Sequence, residues 1–272
     1  MVLLLVAGAP WGFLTRARAA EPASTRLALA GSGSNLGIVR TLAEAFARSH
    51  PGIAIDIPNS IGSTGGIRAA AAGRVAAGLI SRPLREAEQG LGLTVLPYAR
   101  AVIVIGAHPT VPDDGITAAE LVEIYRGTRT RWRNGQEIIV LTREPGDSTI
   151  EVLERAVPGF KDAYAQGREA RRWTTLYTDQ VMNRTLSRTP FAIGFSDLGE
   201  IPLEHLSIKP LAFDGVPPTT EQALKGRYPL VKTLAFVFRK DTLVPEARAF
   251  VDFVRSPEGR RIVASLGYLP GD

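Results

Sequence analysis

The sequence contains no cysteine, which excludes disulfides, thiolate metal sites and cysteine nucleophiles. Histidine is scarce: His50, His108 and His205 are the only three, and their scatter lacks the spacing of a histidine metal site. The acidic residues show no calcium-loop pattern. A strong charge of one sign is also missing. The 32 basic and 27 acidic residues leave a formal charge of +5, too small and too dispersed to argue for nucleic acid. The densest basic cluster, Arg168, Arg171 and Arg172, has no Gly/aromatic RNA-binding motif beside it and reads as a solvated helix face. Long hydrophobic runs are absent except at the start. Residues 2–14 form an apolar stretch broken by Pro10, short of the roughly 20 residues that cross a bilayer.

That stretch has another reading. Ala17-Arg18-Ala19 precedes Ala20-Glu21-Pro22, the A-x-A pattern of a secretory signal cleaved after Ala19. No Lys or Arg stands before the apolar run, so the basic head of such a signal is missing. The expectation is a leader over 1–19 and a soluble, exported, periplasmic mature chain. Losing Arg16 and Arg18 with the leader lowers the net charge to +3, a mild excess that favours anions.

The mature chain alternates strands and helices. Residues 25–30 read as a strand, 31–35 as a Gly/Ser turn and 36–49 as a helix with Val39, Leu42, Ala43 and Phe46 on one face. Ile53, Ile55 and Ile57 alternate as in a strand. A second Gly/Ser turn (60–66) leads into an Ala-rich run, and 75–80 and 101–106 read as buried strands. Thr117 to Glu120 is a capping box for a helix that stops at Gly127. Residues 138–142 form a strand that runs into Arg143, Gly146, Asp147, Ser148 and Thr149, then a helix. Short strands at 191–195 and 234–238 and a helix at 247–254 follow. The pattern implies an α/β fold with mainly parallel pairing.

Three strand-to-helix junctions carry hydroxyl residues: Ser32/Ser34/Asn35, Ser63/Thr64 and Ser148/Thr149. Helix N-termini hold free N–H groups and partial positive charge, so converging junctions make an anion site. Arg143 before the third junction and Arg82 after a strand end add a guanidinium fork suited to oxyanions. Each junction also reads as plain capping: Ser148 with Glu151 fits a capping box, and Ser34 or Asn35 fits an N-cap. Two other readings compete. Gly31-x-Gly33 with Asp56 departs from the dinucleotide spacing. Gly146-Asp147-Ser148 resembles the nucleophile block of a serine hydrolase, which needs a positioned base.

Taken in order, the turns resemble the phosphate-binding proteins of bacterial ABC importers, in the periplasmic binding protein superfamily. Gly31-Ser32-Gly33-Ser34, Gly62-Ser63-Thr64-Gly65-Gly66 and Ser81-Arg82-Pro83-Leu84 with Glu88 carry the first part. Arg143 with Gly146 to Thr149, Ala192-Ile193-Gly194-Phe195, Tyr228-Pro229-Leu230, Ser256-Pro257-Glu258-Gly259 and Gly267-Tyr268-Leu269-Pro270 carry the rest. The resemblance implies a two-lobed binding-protein fold of type II, each lobe a sheet flanked by helices, with the ligand in the cleft between. One lobe would take 20–99 and 229–272, the other 100–228. It implies a non-enzymatic, cofactor-free monomer that captures inorganic phosphate or a similar oxyanion and docks on the permease subunits. Ser34, Asn35, Ser63, Ser81, Arg82, Arg143, Ser148 and Thr149 would surround the anion. Two departures stand out. Ala76 replaces a family Asp, and Asp147-Ser148 replaces Ser-Gly. Asp147 is expected either to accept a proton of the ligand, rejecting sulfate, or to cap its helix. The alternatives are a secreted hydrolase using Ser148 and a binding-protein fold reused for sensing.

Overall fold

The structure, a computed structural model, describes residues 25–271; the expected leader and its cleavage site lie outside them. The first unit is strand–helix–strand: β1 (Thr25–Gly31), α1 (Leu36–Ser49) and β2 (Ile53–Asp56), followed by α2 (Gly62–Ala71) and β3 (Ala77–Ile80). β1 lies parallel between β2 and β3. Val39, Leu42 and Phe46 bury one face of α1 completely, as their helical spacing predicts. After α3 (Glu86–Gln89) comes β4 (Thr94–Ala107), the longest strand among the described residues.

The second unit holds β5 (Gly115–Ile116), α4 (Ala118–Arg126), β6 (Ile139–Arg143), α5 (Ser148–Ala156), α6 (Phe160–Glu169), β7 (Thr174–Leu176), α7 (Asp179–Arg188) and β8 (Ala192–Asp197). Short elements follow: α8 (Glu200–Leu203), β9 (Lys209–Pro210), β10 (Ala212–Phe213) and α9 (Thr220–Leu224). β11 (Val231–Phe238), α10 (Pro245–Arg255), α11 (Pro257–Ser265) and β12 (Leu269–Pro270) return the chain to the first unit. The main sheet has the order β2-β1-β3-β11-β4-β8-β6-β7.

This order corrects one expectation. The outer strands pair in parallel, but β11 is antiparallel to both β3 and β4, and β8 is antiparallel to β4. Two long strands cross the middle in opposite directions, so the centre cannot be parallel. β4 serves both halves. Its residues 94–102 pair with β11, and Ile103 to Ala107 pair with β8. Two large apolar cores flank the crossing. One gathers Leu29, Val39, Leu42, Phe46, Tyr98, Phe236 and Phe250; the other gathers Ile103, Ile105, Tyr125, Leu153, Phe160 and Phe195. Tyr228 donates to the Ile103 carbonyl at 2.8 Å and pins the return crossing to β4.

The second Gly/Ser turn is also revised, because its residues Gly62 to Gly66 already belong to α2. These are poor helix formers, and tertiary packing holds them helical. A Cβ on Gly78 would lie 2.4 Å from the Gly66 carbonyl oxygen, so the absence of side chains is what seats α2 on β3. Gly78→Ala is expected to destabilise the protein by about 1–3 kcal/mol through overpacking, read as a lowered urea midpoint.

Candidate anion-binding site

The carboxyl ends of β1, β3 and β6 and the first turn of α2 bring four serines together. Ser32 Oγ is 2.7 Å from Ser81 Oγ, and Ser81 Oγ donates to Ser148 Oγ at 2.8 Å. Ser63 Oγ accepts from the Ser81 amide at 3.1 Å. A hydroxyl has one proton to give. If Ser81 spends its proton on Ser148, Ser32 must donate to Ser81, and the Ser148 proton is left to point into the pocket. The pocket beside this chain has a volume of about 230 Å³ and is lined by Ser63, Thr64, Arg82, Arg143, Asp147, Ser148 and Asp179 among others. Its two walls come from opposite sides of the strand crossing. Further bonds close the same gap: Gln180 Nε2 donates to the Gly33 carbonyl at 3.2 Å, and Arg85 reaches the Gly146 carbonyl at 3.0 Å and Glu151 at 2.5 Å.

The two helix N-termini at the pocket differ. The Ile61 N-cap of α2 makes no side-chain cap bond, and the first residue, Gly62, has φ +70. The Gly62 amide donates to Ser60 Oγ at 3.3 Å, which leaves the amides of pocket-lining Ser63 and Thr64 as first-turn donors. The N-terminus of α5 is already occupied. Asp147 Oδ1 accepts from the Thr149 and Ile150 amides at 2.9 and 3.4 Å, so Asp147, not Ser148, is the N-cap.

Arg143 is the central cation, with its side chain only 5% exposed. Its guanidinium lies 3.1 Å from Asp147 Oδ2, 3.0 Å from Asp179 Oδ1 and 3.3 Å from Glu144, and it donates to the Leu176 carbonyl at 2.9 Å. Burial alone would lower its pKa; Asp179, Asp147 and Glu144 outweigh burial and raise it. Burial pushes the Asp147 carboxyl up to about 6, against the pull of Arg143 and helped by the charge of Asp179. Asp179 is also pushed up by burial, but Arg143, Lys232 and the Ser34 hydroxyl hold it below the usual range.

Behind the pocket lies a second buried layer. Lys232 of β11 sits 2.9 Å from Asp197 and donates to Thr149 Oγ1 at 3.0 Å, with both ion-pair side chains almost wholly buried. Burial would lower the Lys232 pKa, but Asp197, Asp179 and Asp147 raise it and keep the ammonium charged.

Of the residues expected from sequence, Ser63, Arg82, Arg143, Asp147 and Ser148 line the pocket, and Ser81 is bonded to three of its serines, Ser32, Ser63 and Ser148. Three others face elsewhere. Asn35 is fully buried, donating to the Ile80 carbonyl at 3.3 Å and accepting from Tyr98 at 2.8 Å, so its side chain ties the turn at 33–35 to β3 and β4. Ser34 donates to Asp179 at 3.3 Å. Thr149 belongs to the layer behind. Arg82 lines the pocket with its charge already matched, gripping Glu88 through both terminal nitrogens at 2.7 and 2.8 Å. Asp179, Lys232 and Asp197 were not visible in the sequence. Only the ladder of Thr178 capping α7 at the Val181 amide could have drawn attention to Asp179.

A hydrolase at Ser148 lacks its base. His50 stacks on Phe46, His108 bonds Thr110 at 2.9 Å, and His205 lies in a different groove. Ser148 Oγ meets another serine instead.

A cleft at the strand crossing, walled by hydroxyls, two buried arginines and the N-terminus of α2, defines a solute-binding protein. The PBP superfamily domain model matches residues 17–258, and the chain belongs to that superfamily. It is 26% identical over 262 residues to the phosphate-binding protein PstS of Bacillus subtilis, covering 93% of this chain and 83% of that one. It is 25% identical over 278 residues to PstS of Pseudomonas aeruginosa, covering 92% and 84%. A Clostridium perfringens structure described as a phosphate ABC transporter substrate-binding protein with bound phosphate superposes with a TM-score of 0.82 at 25% identity, covering 91% of this chain and all of that one. Binding, not catalysis, is the activity of this class, and the hydrolase reading is set aside.

Proposed function

We propose that this protein captures orthophosphate in the pocket between its lobes and delivers it to the membrane subunits of an ABC permease. The carrying observation is the convergence of Ser63, Ser148, Arg143 and the α2 N-terminus on one pocket. Phosphate-binding relatives that align over nearly the whole chain support the same ligand. We assign 20–99 with 229–272 to one lobe and 100–228 to the other. The two crossings, within β4 and at Tyr228–Val231, would act as the hinge. The chain acts outside the cytoplasm, in the periplasm, after loss of a leader over 1–19, and works as a monomer.

The charges select a protonated oxyanion. Arg143 and Lys232 face Asp147, Asp179 and Asp197, so the ions already present leave no positive excess for a dianion. Orthophosphate near neutrality carries a proton that a carboxylate can accept; sulfate carries none. Asp147, with its pKa pushed up to about 6, is the group that would accept or take up a proton as the anion enters. Calorimetry of the ligand-free protein should give one-to-one orthophosphate binding, weak or absent sulfate binding, and net proton uptake in buffers of different ionisation enthalpy. Binding of sulfate alone would overturn the ligand; binding of neither would overturn the site.

Asp147→Asn keeps an N-cap, since Asn caps as well as Asp, and removes one buried charge. It is expected to shrink the preference for phosphate over sulfate at least tenfold. The stability sign follows from the raised pKa. The folded state holds the Asp147 proton up to about pH 6, while an unfolded Asp loses it near ~3.9. That contribution is full below the unfolded value and is lost as pH rises through 6. Asp147→Asn should remove this fall from the stability profile of the ligand-free protein.

A further inference from the structure

Beside the pocket runs a larger groove that phosphate capture leaves unused. Its volume is about 860 Å³, against about 230 Å³ for the inner pocket, and Ser60 lines both. One wall is Arg40, Asn59 and Ser60; the other is built by α7 and the turn after α8, with Gln180, Arg184, Ser187, Arg188 and Ser207. Three guanidiniums therefore face a groove with a single carboxylate, Glu204. Arg40 is held from behind by the Ile57 carbonyl at 3.1 Å, which fixes its position without neutralising it. Arg184 and Arg188 are four residues apart on one helix, where like charges repel. No carboxylate pairs with either among the described residues. The α7 carboxylate nearest in sequence, Asp179, is spent on Arg143.

We propose that this groove is a second anion site, which takes a condensed inorganic phosphate of two or more linked phosphoryl groups across the mouth of the cleft. Several guanidiniums with hydroxyl and amide donors between them match a chain of phosphoryl oxygens. The lining holds no Phe, Tyr or Trp on which a nucleobase would stack, so the inorganic chain fits better than a nucleotide. Because the arginines come from both sides of the cleft, occupancy ties the lobes together and favours the closed form. The site does not depend on which oxyanion fills the inner pocket.

The test is calorimetric titration with sodium tripolyphosphate, once with the ligand-free protein and once after loading with one equivalent of orthophosphate. One tripolyphosphate is expected to bind in both cases, more weakly as salt rises. Arg184→Ala with Arg188→Ala, both on the exposed face of α7, should weaken that binding at least tenfold and leave orthophosphate affinity unchanged. The site is ruled out if the wild-type protein takes up no tripolyphosphate. It is equally ruled out if the double variant, and separately Arg40→Ala, bind it as the wild type does. Failure of orthophosphate to bind at all would strike the inner-pocket reading only, since the ligand-free titration still decides the groove.

Discussion

Arg143→Ala is expected to reduce orthophosphate affinity at least a hundredfold and to destabilise the ligand-free protein by about 3–5 kcal/mol at pH 8. Two losses add here. The anion loses a pocket-wall guanidinium that Asp147, Asp179 and Glu144 share, whereas Arg82 in the same wall is gripped by Glu88. The protein loses the cation between Asp147 and Asp179, both of which lie within 3.1 Å of it. Two carboxylates left buried without that cation raise each other's pKa, so the deficit should shrink toward pH 5 as one takes up a proton. Arg143→Lys separates the effects. It keeps the charge but not the fork that holds Asp147, Asp179 and the Leu176 carbonyl together. It should fold nearly as well as wild type and still bind phosphate at least tenfold more weakly. Unchanged affinity in Arg143→Lys, measured by calorimetry, would remove Arg143 from the ligand shell.

Lys232→Met is expected to cost about 3–5 kcal/mol, because it strands Asp197 in the interior. Lys232 and Asp197 are 2% and 3% exposed, so water cannot replace the missing partner. The cost should be largely recovered in Lys232→Met with Asp197→Leu, since replacing a whole buried pair by apolar groups is often neutral or stabilising. The pair also bears on the site. Lys232 holds Thr149 at the first turn of α5 and lends positive potential to Asp147 and Asp179. The double variant should therefore fold and still bind phosphate more weakly. Urea unfolding gives the first result and calorimetry the second. A single variant as stable as wild type would mean the ammonium contributes nothing net.

Much of the fold was legible beforehand because its signals are local. The amphipathic spacing of α1, the Thr117–Glu120 capping box and αL Gly127 of α4, and the apolar run of β4 each follow from neighbours a few residues apart. α7 was not legible. Its sequence, DQVMNRTLSR, is polar, with Met182, Asn183 and Leu186 as its buried residues, too few for a clear periodic face. The direction of β11 was hidden as well, since its continuous apolar end, Leu234 to Phe238, reports only burial on both faces, a pattern usual for parallel strands that a central antiparallel strand shares.

For the site, the Gly/Ser junctions and Arg143 could be read from residue type, because hydroxyls and glycine at a strand-to-helix turn have few other uses than capping and anion binding. Residue type could not say which hydroxyls meet. Ser32, Ser63, Ser81 and Ser148 share one hydrogen-bonded chain, while Asn35, equally suitable by sequence, spends both ends of its amide on β3 and β4. Asp179, Asp197 and Lys232 carry no local mark at all. They come from α7, β8 and β11 and acquire their meaning by being buried around Arg143 and Thr149. The chain's order of residues was enough to specify the α/β alternation, the helix starts and a chemistry suited to oxyanions, since each depends on contacts within a turn or a strand. The balance of buried charge, and with it the selection for a protonated ligand, arose where distant segments crossed, because the energy of a buried ion is set by partners that lie far away along the chain.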